Sequence, residues 1–343
     1  MIHFECDYLE GADERVLKAL CDTNLTQAVG YGEDELCDRA RALIRELCAA
    51  PNAGVHFLVG GTQVNTTVIA AALRPYEGVL CADTGHINVH ETGSIEATGH
   101  KCLPLPGTDG KITAAQVRQA VEKHRADGSF EHMVCPAMVY LSQPTELGTL
   151  YTAAELTEMY ETTRALGILL YVDGARLGYG IAALPEVDMP FLAAHTDAFT
   201  IGGTKGGALF GEALVLADPA KWPGFRYHIK QRGGMLAKGR LLGVQFDALL
   251  RDGHYVAIAA RADEQAQRIK RAFVQKGVRM LVDTPTNQIF PVLPDEWLQA
   301  LKRDFSCSMW EKVDENHTAV RFCASVLTPE ASVDALVDAI GRL

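Results

Sequence analysis

The 343-residue chain has no long apolar run, no basic cluster and no closely paired cysteines. Its uninterrupted apolar stretches, such as residues 68–73, are far too short to cross a bilayer, so no membrane association is expected. The formal net charge is −11 and no segment is rich in lysine or arginine, which argues against nucleic acid as a partner. The first ten residues lack the basic and hydrophobic segments of a secretory signal, so the expected location is the cytoplasm.

The nine cysteines are an odd number, and none of them belongs to a C-x-x-C pair. Free thiols in a reducing compartment are therefore expected, rather than a disulfide framework or a zinc site. His86 and His90 stand four residues apart, as two metal ligands on one helix face would. Gly93 follows closely and argues against a long helix there, so no metal site is predicted.

Short apolar segments alternate with longer amphipathic ones along most of the chain. Buried strands are predicted at residues 55–60, 78–83, 138–143, 168–173, 198–203 and 212–217. Helices are predicted at residues 62–74, 113–125 and 152–167; two begin with a threonine suited to an N-cap, and the last ends at Gly167. This alternation predicts an α/β fold with a mostly parallel sheet flanked by helices, in which ligands bind at the carboxyl ends of the strands.

The pattern changes after about residue 240. A long helix is predicted at residues 255–277, with short strands near residues 287–293 and 318–325. A last helix is predicted at residues 328–340, with Thr328 as its N-cap. We therefore expect a large domain of residues 1–240 and a smaller C-terminal α+β domain of residues 241–343.

One lysine, Lys205, stands in the glycine-rich stretch "GGTKGG" directly after a predicted buried strand. A nucleotide-binding loop would place Ser or Thr after the lysine, whereas this chain has Gly206, so that interpretation is disfavoured. A lysine at the end of a buried strand is partly desolvated, which lowers its pKa and favours the free amine that attacks an aldehyde. The alternative is an ordinary solvated loop lysine, but the flanking glycines lack side chains and are expected to make room for a ligand that approaches closely.

Three other strand ends carry polar groups. Gly61 and Thr62 follow a strand at a helix start, where backbone amides suit a phosphate, although a tight turn explains them equally well. Asp173 ends a very apolar strand and is either an N-cap or the partner of a cation. His86 follows another strand. Together with Lys205 these groups describe a site for pyridoxal 5′-phosphate, because that cofactor needs a phosphate cradle, a carboxylate at its ring nitrogen and a lysine.

The chain resembles the threonine aldolase/β-eliminating lyase family of fold-type-I pyridoxal phosphate enzymes over nearly its whole length. The matching stretches, in the family's order, are "YGEDE" (31–35), "LVGGTQVN" (58–65), "GHINVHETG" (85–93), "VDGAR" (172–176), "GGTKGG" (202–207), "RGGML" (232–236) and "VRFCAS" (320–325). "VDGAR" followed by a strand-end lysine is fairly specific to this group. The resemblance makes residues 1–240 the cofactor-binding domain.

The resemblance implies a role for each matching residue. Lys205 corresponds to the Schiff-base lysine and Asp173 to the partner of the pyridinium nitrogen. His86 corresponds to the histidine that stacks on the cofactor ring and transfers protons. The remaining positions correspond to residues that bind the phosphate, which are Gly61, Thr62 and Thr204, and to arginines that help to bind the cofactor and the substrate carboxylate, which are Arg176 and Arg321.

The resemblance also implies a homodimer or homotetramer with active sites shared between subunits, to which residues 31–35 and 230–239 contribute. Three positions depart from the family pattern. Cys6 stands where a serine helps to bind substrate, Glu146 stands where a histidine lies near the substrate hydroxyl, and Leu236 replaces an arginine. Arg232 and Lys238 are candidates to compensate for that arginine. These departures alter the substrate-facing set, whereas the cofactor-binding set is complete.

The leading prediction is retro-aldol cleavage of a small amino acid, threonine or allo-threonine in type, to glycine and an aldehyde. The base at the β-hydroxyl is left open among His86, Glu146 and a water molecule. One alternative is β-elimination from serine- or cysteine-like amino acids, with Lys205 as the base, and transamination is a less favoured one. A sugar- or nucleotide-binding α/β protein remains the alternative from a different functional class.

Overall fold

The computed structural model describes all 343 residues as an α/β protein with a smaller C-terminal sheet. Its strands are β1 (Ile2–His3), β2 (Gly54–Leu58), β3 (Glu77–Ala82), β4 (Lys101–Leu105), β5 (Cys135–Ser142), β6 (Leu169–Asp173), β7 (Ala198–Gly202), β8 (Glu212–Leu216), β9 (Gln288–Ile289), β10 (Val292–Pro294), β11 (Phe305–Ser306), β12 (Ser308–Lys312) and β13 (His317–Cys323).

The α-helices pack around these strands. They are α1 (Glu14–Asp22), α2 (Glu35–Leu47), α3 (Gly61–Ala72), α4 (His86–Val89), α5 (Ala114–Ala126), α6 (Ala153–Leu166), α7 (Leu177–Ala183), α8 (Met189–His195), α9 (Phe225–Gln231), α10 (Arg240–Leu250), α11 (His254–Gln275), α12 (Asp295–Leu301) and α13 (Glu330–Gly341). None of them is both long and apolar enough to span a membrane.

The central sheet has seven strands in the order β2-β8-β7-β6-β5-β3-β4. The five strands from β7 to β4 are parallel, whereas β8 runs antiparallel to both β7 and β2. The predicted mostly parallel sheet is therefore confirmed. The six predicted strands are all present, but β4 at one edge was not predicted.

Each face of the central sheet is covered by a separate apolar core. Val172 of β6 packs into one core and its neighbour Tyr171 into the other, as the alternation of side chains along a strand requires. Because both faces are covered, the strands are continuously apolar rather than alternating, which explains why they were recognisable from sequence.

The C-terminal sheet joins β10, β13 and β12 in antiparallel order, and β9 also pairs with β13. The N-terminal strand β1 pairs with β11 from this same region. The first residues of the chain thus lie beside the C-terminal sheet. The division at residue 240 stays a prediction.

Helix boundaries follow the predicted capping residues at most positions. Thr113 and Thr152 each form a capping box, and Gly167 ends α6 in the left-handed conformation. The prediction for Thr328 was wrong, because α13 begins after Pro329, whose φ of −65° already suits a helix start. The Thr328 hydroxyl instead accepts a hydrogen bond of 2.7 Å from the Ser325 amide.

Candidate active site

A cavity of about 340 Å³ lies at the carboxyl ends of the central parallel strands. Eight of the residues that the sequence predicts as functional line it, which are Gly61, Thr62, His86, Glu146, Asp173, Arg176, Thr204 and Lys205. A larger groove of about 860 Å³ runs between β4 and α5, but none of these residues borders it. The smaller cavity is therefore the candidate site, since that is where titratable groups converge.

The start of α3 forms one wall of the cavity. Its N-cap, Gly60, has no side chain to satisfy the first amides, and the first turn contains no acidic residue. A side chain atom placed on Gly60 or Gly61 would meet nothing within 4 Å, so open space lies in front of these amides. An uncapped helix start facing open space is suited to bind an anion such as a phosphate.

Asp173, the last residue of β6, is buried and held by three hydrogen bonds. One carboxylate oxygen accepts from the Tyr140 hydroxyl at 2.8 Å and from Asn65 Nδ2 at 3.1 Å, and the other accepts from the Ala175 amide at 2.9 Å. Burial and the nearby Asp173 charge raise the pKa of Tyr140 well above its usual range, so Tyr140 stays a donor. These donors stabilise an anion that is ready to pair with a cation in the cavity.

Lys205 follows β7 and points its amine toward the same cavity. Burial, and then the Arg176 charge, lower the pKa of this amine from its ordinary value. The nitrogen lies 5.9 Å from the centre of the Tyr8 ring, and the backbone carbonyl of Lys205 accepts a 2.7 Å hydrogen bond from Tyr179. A lysine with a lowered pKa, fixed at its backbone, is suited to nucleophilic attack on an aldehyde.

The glycines around Lys205 have a different cause from the one that the sequence suggested. A Cβ atom on Gly206 would lie 2.4 Å from Tyr255, and one on Gly203 would lie 2.6 Å from the Gly211 carbonyl. Gly207 has a φ of +109°, a conformation that other residues rarely adopt. The expectation that these glycines make room for a ligand is therefore corrected, because the close neighbours belong to the protein itself.

His86 begins the one-turn helix α4 and is oriented by a buried carboxylate. Its Nδ1 lies 2.8 Å from Glu91, whose side chain has no solvent exposure, and this contact fixes the orientation of the imidazole ring. Glu91 also accepts a 2.7 Å hydrogen bond from Asn65, which in turn bonds Asp173. A continuous hydrogen-bonded chain thus connects His86 with Asp173.

Glu146 lies beside His86 just after the end of β5. One of its oxygens accepts hydrogen bonds from the His86 amide at 2.9 Å and from the Ser142 hydroxyl at 2.6 Å. Burial raises the pKa of Glu146 from its ordinary value. A carboxyl group whose pKa is raised in this way is a better proton acceptor than an exposed one.

Arg176 is paired with Asp7, a residue that the sequence interpretation passed over. The guanidinium donates two hydrogen bonds to this carboxylate, at 2.6 and 2.9 Å. Asn287 donates a third to Asp7, at 2.9 Å. Burial opposes ionisation of Asp7, but the charge and hydrogen bonds of Arg176, the Lys205 charge and the Asn287 hydrogen bond together outweigh it and lower the pKa of Asp7 to about 2.

Cys6 and Arg321 do not line the cavity. Arg321 bonds Gln288 at 3.2 Å and the Glu5 carbonyl at 3.0 Å, and its guanidinium lies 5.8 Å from the Trp310 ring centre. Its Nε is buried without a hydrogen-bond partner. Tyr8, two residues after Cys6, does reach the cavity wall.

Several residues of the site were not predicted from sequence. Asn65 and Glu91 stand within the stretches quoted above, and Asn65 lies one helical turn after Gly61, so a signal existed for it. The other residues are Asp7, Tyr8 and Glu212. No local sequence pattern marked them, because a tyrosine or an acidic residue near a chain end or at the start of a strand is usually exposed.

The chain is similar to known enzymes over most of its length. The family model for beta-eliminating lyases matches residues 10–296. A low specificity L-threonine aldolase of a Pseudomonas species is 29% identical over 303 residues, which are 87% of this chain and 86% of that protein. The enzyme of the same name from Pseudomonas aeruginosa is 29% identical over 304 residues, with 87% and 86% covered. The structure of Leishmania major threonine aldolase has a TM-score of 0.97 and 38% identity, covering 100% of this chain and 99% of that one.

Proposed function

The chain belongs to the beta-eliminating lyase family, and on that basis we propose that it is a pyridoxal 5′-phosphate-dependent carbon–carbon lyase. Its substrate is a β-hydroxy-α-amino acid of the L-threonine or L-allo-threonine type, which it cleaves to glycine and an aldehyde. The names of its relatives support this reaction. One observation carries the proposal: the Lys205 amine and the Asp173 carboxylate line one cavity together with the uncapped start of α3.

The residues of the cavity fit pyridoxal phosphate. The open start of α3 suits the phosphate, with Gly61, Thr62 and Thr204 as its binding residues. The carboxylate of Asp173, held by three donors, suits a protonated ring nitrogen, and His86 suits the face of the ring. When bound, the cofactor supplies an electron-accepting ring for the cleavage of a bond at the substrate α-carbon.

Arg176 is the proposed partner of the substrate carboxylate. Asp7 occupies its Nε and Nη2 atoms, so that the donors of Nη1 remain for a ligand, and Arg176 borders the cavity. Arg321 and Cys6 belong to the substrate side in this proposal, although neither of them lines the cavity. Closure of the C-terminal sheet toward the central sheet is required in this proposal, so that Arg321 reaches the substrate.

Glu146 is the proposed base at the β-hydroxyl. Its raised pKa favours proton uptake, and the His86 amide and Ser142 hydroxyl fix its position. His86 is then left to cover the cofactor ring, with Glu91 holding its orientation. The Lys205 amine lines the same cavity, and its lowered pKa would suit it to act as a second base there.

We propose further that the enzyme is a cytoplasmic homodimer or homotetramer with shared active sites. The segments around Tyr31 and Lys230 support an interface, because they pack together and the Lys230 amine lies 4.8 Å from the Tyr31 ring centre. Leu25 and Val29, which precede Tyr31, and Tyr227, which precedes Lys230, expose most of their side chains. Light scattering of the purified enzyme tests this proposal, and a monomer at micromolar concentration contradicts it.

Reconstitution with pyridoxal phosphate tests the cofactor and its lysine. We expect a visible absorption band in the wild type and in the control variant Lys18→Ala, and no such band in Lys205→Ala. Threonine, allo-threonine, serine and cysteine are then supplied to the holoenzyme. Acetaldehyde with glycine supports aldol cleavage, whereas a keto acid with ammonia from serine or cysteine would establish the eliminating lyase instead. A colourless wild type overturns the whole proposal.

A further inference from the structure

Glu212 is a buried acidic residue of the cavity that has no place in the roles assigned above. It is the first residue of β8, its exposed fraction is 4%, and it borders the same cavity as Lys205. Its Oε2 atom is buried and has no hydrogen-bond partner. An unpartnered buried carboxyl oxygen is costly, so a bound ligand is the expected source of its missing partner.

The antiparallel register of β8 places Glu212 between the strand that leads to α3 and the strand that leads to Lys205. Glu212 is opposite Leu58 on β2 and opposite Gly202 on β7. Three residues beyond Leu58 is Gly61 at the start of α3, and three beyond Gly202 is Lys205. Glu212 therefore lies between the two chain segments that present the phosphate-binding groups.

The charges that face Glu212 make a second anion unfavourable there. Asp173 on β6 and Lys205 after β7 act on it, and the hydroxyls of Tyr171 and Tyr255 are near enough to be affected by its charge. Burial, and then Asp173, raise the pKa of Glu212 to about 8, against the opposing effect of Lys205. One lysine thus faces two carboxyl groups before any phosphate arrives, and a phosphate adds further negative charge.

We propose that Glu212 binds the phosphate of the cofactor as a neutral carboxylic acid and donates a hydrogen bond from Oε2 to a phosphate oxygen. This inference rests on the proposed function. A proton on Glu212 satisfies both the unpartnered oxygen and the charge balance of the cavity, whereas an ionised Glu212 would repel the phosphate. Binding of a phosphate above the pH at which Glu212 ionises is consequently coupled to uptake of a proton by this side chain.

Pyridoxine 5′-phosphate is the appropriate probe, because it carries the phosphate but has no aldehyde to react with Lys205. For the wild type we expect its Kd to rise above about pH 8, by up to tenfold per pH unit. Glu212→Gln keeps a hydrogen-bond donor but cannot ionise. We therefore expect it to bind the probe tightly, and we expect the slope of log Kd against pH to be smaller than in the wild type by up to one unit. Glu212→Ala should bind about tenfold more weakly at pH 7, and the exposed-site control Glu131→Gln should behave as the wild type.

Two further measurements separate Glu212 from its neighbours. Pyridoxine without the phosphate should show no difference between wild type and Glu212→Gln, since the proposed contact is to the phosphate. Calorimetry at pH 9 in buffers of different ionisation enthalpy should show proton uptake with pyridoxine 5′-phosphate in the wild type, and the Glu212→Gln variant should show less of it.

The role of Glu212 would be overturned if log Kd had the same slope against pH in the wild type and in Glu212→Gln, or if the wild type took up no proton on binding. If the protein gives either of these results but still binds pyridoxal phosphate, only the role of Glu212 is wrong and the proposed function stands. If the wild type binds neither pyridoxal phosphate nor pyridoxine 5′-phosphate, both the proposed function and this inference are wrong. The calorimetric measurement on the wild type needs no variant to fold.

Discussion

Asp7 and Arg176 form a buried two-point ion pair, with Nε and Nη2 of the arginine 2.6 and 2.9 Å from the two carboxylate oxygens. The Asp7 side chain is fully buried, and that of Arg176 has 11% of its surface exposed. The pair joins the N-terminal segment, which runs beside the C-terminal sheet through β1, to the loop after β6 in the central sheet. It therefore fixes the guanidinium at the cavity and connects the two sheets at the same time.

Replacement of Asp7 by alanine leaves the buried Arg176 charge without its partner. We expect Asp7→Ala to lower the free energy of unfolding by about 3–5 kcal/mol and to raise KM more than it lowers kcat, because Arg176 then loses its orientation. Urea unfolding and steady-state kinetics with threonine measure these effects. The exposed ion pair of Lys18 with Asp22 supplies the control, since Asp22→Ala should change the free energy of unfolding little. Equal losses in the two variants would contradict a structural role for the Asp7 pair.

Acid should remove the stabilising effect of Asp7 over a defined pH range. The pKa of Asp7 is about 2 in the folded protein against 3.8 ordinarily, so its contribution is complete above about pH 4 and is lost as the pH falls toward 2. The expected size is about 2 kcal/mol. Unfolding free energies of wild type and Asp7→Asn, measured from pH 6 down to pH 2, should converge at the acid end. A constant difference across that range would show that Asp7 does not titrate as proposed.

Much of the site followed from strand ends in the sequence. Asp173, Glu146 and Lys205 each end or closely follow an apolar segment, and parallel strands bring their carboxyl ends to one edge of the sheet. The local sequence pattern was therefore sufficient to predict the central strands and most of the residues that line the cavity.

The remaining residues depend on long-range pairing that no local pattern contains. Asp7 reaches Arg176 only because β1 pairs with β11 near the other end of the chain. Glu212 enters the cavity because β8 is inserted between β2 and β7 in antiparallel orientation. Strand order and orientation are set by the packing of the whole domain, and hence these two acidic residues could not be placed from sequence.

The close packing around Gly206 predicts the effect of adding one methyl group there. The new Cβ atom would lie 2.4 Å from a Tyr255 ring carbon and 2.8 Å from the Gly202 carbonyl oxygen, so both must shift. We expect Gly206→Ala to destabilise the cofactor-free protein by about 1–3 kcal/mol in urea unfolding. Gly128→Ala is the matched control, because its Cβ would meet nothing within 4 Å. If the Gly206→Ala variant is as stable as the wild type but binds the cofactor more weakly, the glycine is needed to make room for the ligand.

Glu91 is predicted to be a positioning residue for His86. It accepts hydrogen bonds from His86 at 2.8 Å, Asn65 at 2.7 Å and Ser94 at 2.9 Å, and glutamine has only one oxygen to replace its two. We expect Glu91→Gln to lower kcat about 10- to 100-fold while the Kd for pyridoxal phosphate changes little. Glu91→Asp should restore part of the loss, and Ser94→Ala should have a small effect. A change confined to thermal stability would leave Glu91 without a role in positioning.

The proposed base, Glu146, can be separated from Lys205 by comparing two half-reactions. Cleavage of threonine requires removal of the hydroxyl proton, whereas exchange of a glycine α-proton with solvent deuterium does not. We therefore expect Glu146→Gln to lower kcat for cleavage by about 10²- to 10⁴-fold and to leave glycine exchange, followed by NMR, within a few-fold of the wild type. His86→Asn serves as the comparison, and it should slow both reactions because His86 is proposed to cover the cofactor ring. If His86→Asn abolishes cleavage alone and Glu146→Gln leaves it intact, the base is His86 and not Glu146.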